Sequence, residues 1–120
     1  MYEHKFIVKA LEQGLRISQP ISGYDRYDFI TDYKGKLNKI QVKSAHTYNE
    51  KEYRYVVKCS AAGNTRYIAD KEVDYIVAIT KDDDIYVVPM EEIKSKTIKF
   101  YKEDGKGIYN KYKNRWDLLK

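Results

Sequence analysis

From Glu3 to Gln13 the apolar residues Phe6, Ile7, Ala10 and Leu11 return every three to four positions and share one stripe. That period predicts an amphipathic helix, and Gly14 behind it suits the left-handed conformation that ends helices. Arg16 to Gln19 reads as a short strand, closed by Pro20 and a Ser-Gly loop. Tyr27 to Asp32 and Leu37 to Ala45 predict two strands around the turn "YKGK". "TYNEK" reads as a polar turn. Glu52 to Cys59 follows as a strand with Tyr53, Tyr55 and Val57 on one face, and 60–72 as a loop. The most apolar run, "DYIVAIT" at 74–80, turns through "KDDD" into "IYVVP" at 85–89, which predicts a β-hairpin. "MEEIKS" predicts a short helix and Thr97 to Tyr101 an edge strand, while the tail "GIYNKYKNRWDLLK" shows no clear period.

A helix followed by strands on short turns argues for an α+β fold with a mixed or largely antiparallel central sheet. The 120 residues suit one compact domain over 1–120, without repeats. A hydrophobic fraction of 42% is globular rather than disordered. The net charge of +5 tilts the partner toward a polyanion. Cys59 is the single cysteine, which excludes an intrachain disulfide and a cysteine zinc site and fits a reducing, cytoplasmic setting. No apolar run approaches membrane length, so no membrane partner is expected.

The first hairpin carries the candidate chemistry. With Lys34-Gly35 as a two-residue turn, Tyr33 pairs with Lys36, Phe29 faces Ile40, and Asp28 faces Gln41. Tyr27, Phe29, Ile40 and Val42 then share an apolar face, and Asp28, Gln41 and Lys43 the other. Opposed residues have Cβ atoms about 4.5–5.5 Å apart. One carboxylate and one amide oxygen at that spacing reach a single hard cation. Such a cation lowers the pKa of its water and polarises a phosphodiester. Lys43, one pleat on, meets the developing phosphate charge or orients the water. Glu3, at the edge of the helix stripe, offers a second anionic ligand or a base acting through water.

Each feature has a plainer reading. Asp28, Gln41 and Lys43 are equally the solvated face of a hairpin, and Glu3 suits the positive end of a helix dipole. His4 and His46 read as surface residues, and "KDDD" lacks the spacing of a calcium loop. Ser44 and Ser60 have no His-Asp context. In "YNKYKNRW", aromatics interleave with Lys111, Lys113 and Arg115, which suits phosphate contact and base stacking, or else a packed terminal segment.

The stretch "YEHKFIVKALEQGLRISQPISGYDRYDFI…KIQVKSA" resembles the PD-(D/E)xK endonuclease-like family, of the small group I intron homing type. That family carries a glutamate in its first helix, an "RYD" at its metal-binding aspartate, and "QVK" where most such nucleases have Glu-x-Lys. "DKEVDYIVAITKDDDIYVVP" and "YKNRWDLL" extend the resemblance over nearly the whole chain. It implies a restriction-endonuclease-like core, with an N-terminal helix, a mixed central sheet and flanking helices. It also implies hydrolysis of DNA with Mg²⁺ or Mn²⁺, and a homodimer or homotetramer. Glu3, Asp28, Gln41 and Lys43 are the implied catalytic residues; Glu3, Asp28, Gln41 and the Val42 carbonyl are the implied metal ligands. Position 41 is an amide where most relatives have an acid, and Tyr27 replaces the proline of the motif. Arg26, Arg54 and Arg66 join Lys111, Lys113 and Arg115 as candidate DNA contacts. The expectation is a metal-dependent endonuclease, homing- or restriction-like or resolving Holliday junctions. The alternative is an inactive nucleic-acid-binding module on the same fold.

Overall fold

The computed structural model describes residues 2–22, 27–45, 47–49, 54–58, 73–94, 97–102 and 107–120. Helix α1 spans Tyr2–Glu12. Phe6 and Ala10 are fully buried, but Leu11, expected in the same stripe, is 56% exposed. Leu11 lies about 100° around the helix from Ala10 and is not part of the cluster that Phe6 and Ala10 join. The helix ends as Gly14 predicts. Gly14 adopts φ +82°, its amide donates to Leu11 at 3.0 Å, and the Leu15 amide donates to Ala10 at 3.1 Å. This is the Schellman arrangement.

Strands β1 (Arg16–Ser18), β2 (Phe29–Tyr33) and β3 (Lys36–Ala45) pair antiparallel in that order. Lys34 (φ +51°) and Gly35 (φ +92°) both take positive φ in the β2–β3 turn, as a type I′ turn requires. The expected register holds from Tyr33–Lys36 to Phe29–Ile40. β4 (Thr47–Asn49) and β5 (Arg54–Lys58) follow. "TYNEK", expected as a polar turn, therefore supplies a strand: Thr47 and Tyr48 have strand propensity, and β5 gives them a partner. β6 (Tyr75–Thr80) pairs parallel with β3, and β7 (Ile85–Pro89) closes a hairpin with β6 as predicted. A short 3₁₀ turn at Met90–Glu92 leads to β8 (Thr97–Tyr101), which pairs with β5. The tail forms 3₁₀ turns at Asn110–Tyr112 and Trp116–Leu119.

The result is a mixed five-stranded sheet, ordered β1-β2-β3-β6-β7, and a three-stranded sheet, β4-β5-β8. On one face of the central sheet, Phe6 packs against Phe29 (ring centroids 5.3 Å) and Trp116 (6.0 Å), with Ala10, Ile40, Val77 and Leu119 around them. On the other face, Ile76, Ala78 and Tyr86 meet Tyr55, Ile98 and Phe100 of the second sheet, and Tyr86 stacks on Phe100 at 4.0 Å. β3 outruns β2 toward this double core, and that mismatch positions the site.

Candidate active site

Asp28 does not stand directly across from Gln41, as simple alternation predicts. Its amide donates to the Ile40 carbonyl at 2.8 Å, and Ile40 is the residue that Phe29 already faces. Two residues against one make a β-bulge. An extra residue reverses the parity of everything before it. Tyr27, expected on the apolar face with Phe29, Ile40 and Val42, packs instead against the cluster shared with the second sheet.

The bulge also ends the β2–β3 ladder. From Gln41 onward β3 has β6 on one side and no β2 partner on the other. Val42 presents its N–H and C=O to that vacant side. The amide is taken by Asp28, donating to Oδ2 at 2.8 Å. No described residue donates to the carbonyl. The half-buried Asp28 carboxyl has its pKa pushed up from its ordinary value by burial, partly offset by the Val42 hydrogen bond and the Lys43 charge. Burial thus disfavours the anion.

Gln41 and Lys43 project from the opposite face to Ile40 and Val42, and both are half-buried. The Gln41 Oε1 is buried and has no hydrogen-bond partner among the described residues. Such an orphan acceptor costs about 1–3 kcal/mol and calls for a cation or donor from outside. Among the described residues no three His, Cys, Asp or Glu side chains gather to hold a metal. The oxygens on offer are one carboxylate, one amide and one main-chain carbonyl. All are hard donors, which fit Mg²⁺ or Mn²⁺.

The structure brings Asp28, Val42 and Lys43 together, with Gln41 next in the strand. Glu3 is exposed in the first turn of α1 and makes no hydrogen bond or ion pair with a described residue. Phe6, three residues on, touches Phe29 beside the bulge. Arg26, Arg66, His46 and Cys59 lie outside the described residues. Arg54 opens β5 opposite Tyr101. In the tail, Lys113 pairs with Asp84 (3.5 Å) and Arg115 with Asp117 (2.9 Å), while the exposed Lys111 holds its ammonium 5.3 Å from the Tyr112 ring. Tyr109, Tyr112 and Trp116 are buried, so the tail is a packed segment. Simple alternation does not predict the bulge; its one signal in the sequence is a polar Asp28 at the mouth of an otherwise regular strand.

Comparison with known proteins bears on all of this. The profile of a family described as PD-(D/E)XK endonuclease matches residues 1–118. Protein 5.3 of Escherichia phage T7 is 28% identical over 103 residues, covering 83% of this chain and 84% of that protein. The solved structure of a bacterial homing endonuclease, I-Ssp6803I, aligns with a TM-score of 0.83 and 26% identity, covering 98% of this chain and 87% of the other. The expected restriction-endonuclease-like α+β fold, with its leading helix and mixed sheet, is borne out.

Proposed function

The chain belongs to the PD-(D/E)XK endonuclease family, and on that premise we propose that it is a metal-dependent DNA endonuclease cutting phosphodiester bonds where β3 outruns β2. The observation that carries this reading is the buried Gln41 Oε1, which has no hydrogen-bond partner among the described residues and lies one residue along β3 from the Val42 amide that holds the Asp28 carboxyl. Asp28, Gln41 and the Val42 carbonyl would hold Mg²⁺ or Mn²⁺, with Glu3 joining directly or through water. When bound, the cation supplies Lewis acidity, activating water and polarising the phosphodiester.

The chain's own residues do the rest. The Val42 amide fixes the Asp28 carboxylate against the strand edge. Lys43, on the same strand, neutralises charge building on the phosphate or orients the attacking water. Its ammonium is near enough to Asp28 to act on that carboxyl, so a nucleophile held between them meets a cation and an anion together. One protomer of 120 residues offers a small reading surface. A homodimer or homotetramer is therefore the simplest route to a specific site. The likeness to a homing endonuclease favours site-specific cutting over junction resolution.

The amide at position 41 keeps a second reading in view: an inactive DNA-binding module on the same fold. Supercoiled plasmid and a synthetic four-way junction, each incubated with protein and Mg²⁺, Mn²⁺ or EDTA, decide between them. Metal-dependent cutting supports the nuclease. Salt-sensitive binding to both DNAs, with neither cut nor a cut found in a pool of random duplexes, supports the module.

A further inference from the structure

Among the described residues, one face of the central sheet is sealed by α1 and the C-terminal turns, and the other is only half covered. The second sheet lies over β6, β7 and the end of β3, and stops short of β1, β2 and the start of β3. On the uncovered half, alternation turns outward Arg16 and Ser18, Ile30 and Asp32, Leu37 and Lys39. They stand in two cross-strand rows, Arg16–Asp32–Leu37 and Ser18–Ile30–Lys39. Arg16, Ser18 and Leu37 (61%) are exposed and Ile30, Asp32 and Lys39 half-buried, whereas Phe29, Thr31, Asn38 and Ile40 on the other face are buried. Gln41 and Lys43 continue the outward row of β3. The candidate site therefore opens at one end of a strip three strands wide, about 10 Å across.

Arg16, Lys39 and, at its end, Lys43 outweigh the single carboxylate of Asp32 on the strip. Neither the Arg16 guanidinium nor the Lys39 ammonium has an ion-pair partner among the described residues. Asp32, across from Arg16, accepts a hydrogen bond from the Gly35 amide on its Oδ1 at 2.9 Å. By contrast, Lys5, Lys113 and Arg115, away from the strip, are each paired with an aspartate. Lys39 is also steered: its ammonium stands 5.7 Å from the Tyr27 ring, the side chain that the Asp28 bulge turns to this face. A concavity of about 380 Å³, lined by Arg16, Tyr33 and Lys34 among others, prolongs the strip at its far end. Along β3, Lys39 precedes Lys43 by four residues, roughly 13 Å. One DNA strand presents a phosphate about every 3.4 Å of helix axis. Lys39 thus reaches a phosphate a few nucleotides from the one at Lys43.

We propose that this open strip seats the DNA backbone beside the cut, with Lys39 and Arg16 contacting phosphates other than the reacting one. The proposal rests on the endonuclease reading and adds the path of the substrate.

The test is binding of a short fluorescein-labelled duplex in EDTA across a salt series, where no metal-dependent cutting intervenes. Lys39→Gln keeps the aliphatic stem over Tyr27 and removes the charge. It and Arg16→Gln each weaken binding several-fold and make the slope of log K against log salt shallower by about 0.9. Lys39→Arg restores the slope. Lys9→Gln, an exposed cation on α1, leaves it unchanged. Wild-type slopes in Lys39→Gln and Arg16→Gln, or an equal loss in Lys9→Gln, overturn the proposal. If those slopes are unchanged while the wild type cuts DNA with Mg²⁺, only the seat is wrong. If the slopes change as expected and the wild type cuts nothing, the seat stands and the nuclease reading falls. A wild type that binds no duplex overturns both.

Discussion

The Val42 amide donates to the Asp28 carboxylate at 2.8 Å, across an edge of β3 that β2 has just vacated. Asp74 does the same at the other edge: its amide donates to the Lys39 carbonyl at 2.9 Å, and its Oδ2 accepts from the Lys39 amide at 2.8 Å. Each aspartate ties a main-chain group of β3 where a neighbouring strand begins. They differ in burial. Asp74 is exposed, while Asp28 is half-buried and close enough to Lys43 for that charge to act on its carboxyl. The same local device is structural at one edge and available for chemistry at the other.

Stability and function should oppose each other at Asp28. Burial raises its pKa in the folded state above 3.8, so as pH climbs past that value the unfolded chain gives up its proton first. The folded protein then holds more protons than the unfolded one, and stability falls with rising pH over that window. Asp28→Asn keeps an acceptor for the Val42 amide and removes the loss. In EDTA at neutral pH the variant melts above the wild type, and the gap narrows as pH approaches 3.8. Mg²⁺ raises the melting temperature of the wild type and leaves the variant unmoved. Circular dichroism melts at several pH values, with and without Mg²⁺, check both.

Gln41 follows the same logic. Gln41→Leu removes a buried acceptor that has no described partner, and gains about 1 kcal/mol in urea unfolding while cleavage is lost. Gln41→Glu adds a negative charge to the oxygen set and tightens Mg²⁺ binding in calorimetry at neutral pH. Weaker Mg²⁺ binding in Gln41→Glu would place the cation elsewhere.

Much of this frame is legible in the sequence, and the failures have physical causes. The Lys34-Gly35 turn and the alternation from Phe29 to Tyr33 are local, so the register of β2 on β3 reads correctly. The β6–β7 hairpin does too. The bulge at Asp28 does not, because one inserted residue leaves no mark on composition yet turns Tyr27 to the other face. β4 is only three residues long and owes its existence to β5, and β5 in turn pairs with β8 far along the chain. Periodicity carries no information about such partners. The helix stripe runs one residue too wide, at Leu11, because it shows what is apolar and not what lies opposite. The Lys43 charge acts on the Asp28 carboxyl; as site residues these two, like Gln41 and Glu3, remain proposals.

Gly14→Ala separates scaffold from site. A Cβ there meets nothing within 4 Å, so the cost is purely the positive φ of the helix end. The variant loses about 1 kcal/mol by urea unfolding, with no change in Mg²⁺ affinity.

Phe6→Ala strikes both. Phe6 is fully buried between Phe29 and Trp116, and its loss costs about 3–5 kcal/mol. Because Phe29 follows Asp28 directly, cleavage also falls in the protein that remains folded at low temperature. Phe6→Leu recovers most of both, as read by urea unfolding and by cleavage under native conditions.

The most direct measurement is single-turnover cleavage of a DNA that the wild type cuts, comparing wild type, Asp28→Ala and Lys43→Ala in Mg²⁺ and in EDTA, with folding followed in parallel. A site at the bulged edge of β3 predicts metal-dependent cutting by the wild type and a loss of at least about 10²–10³-fold in each variant, with both still folded. Undiminished cutting by either folded variant would place the chemistry elsewhere in the molecule.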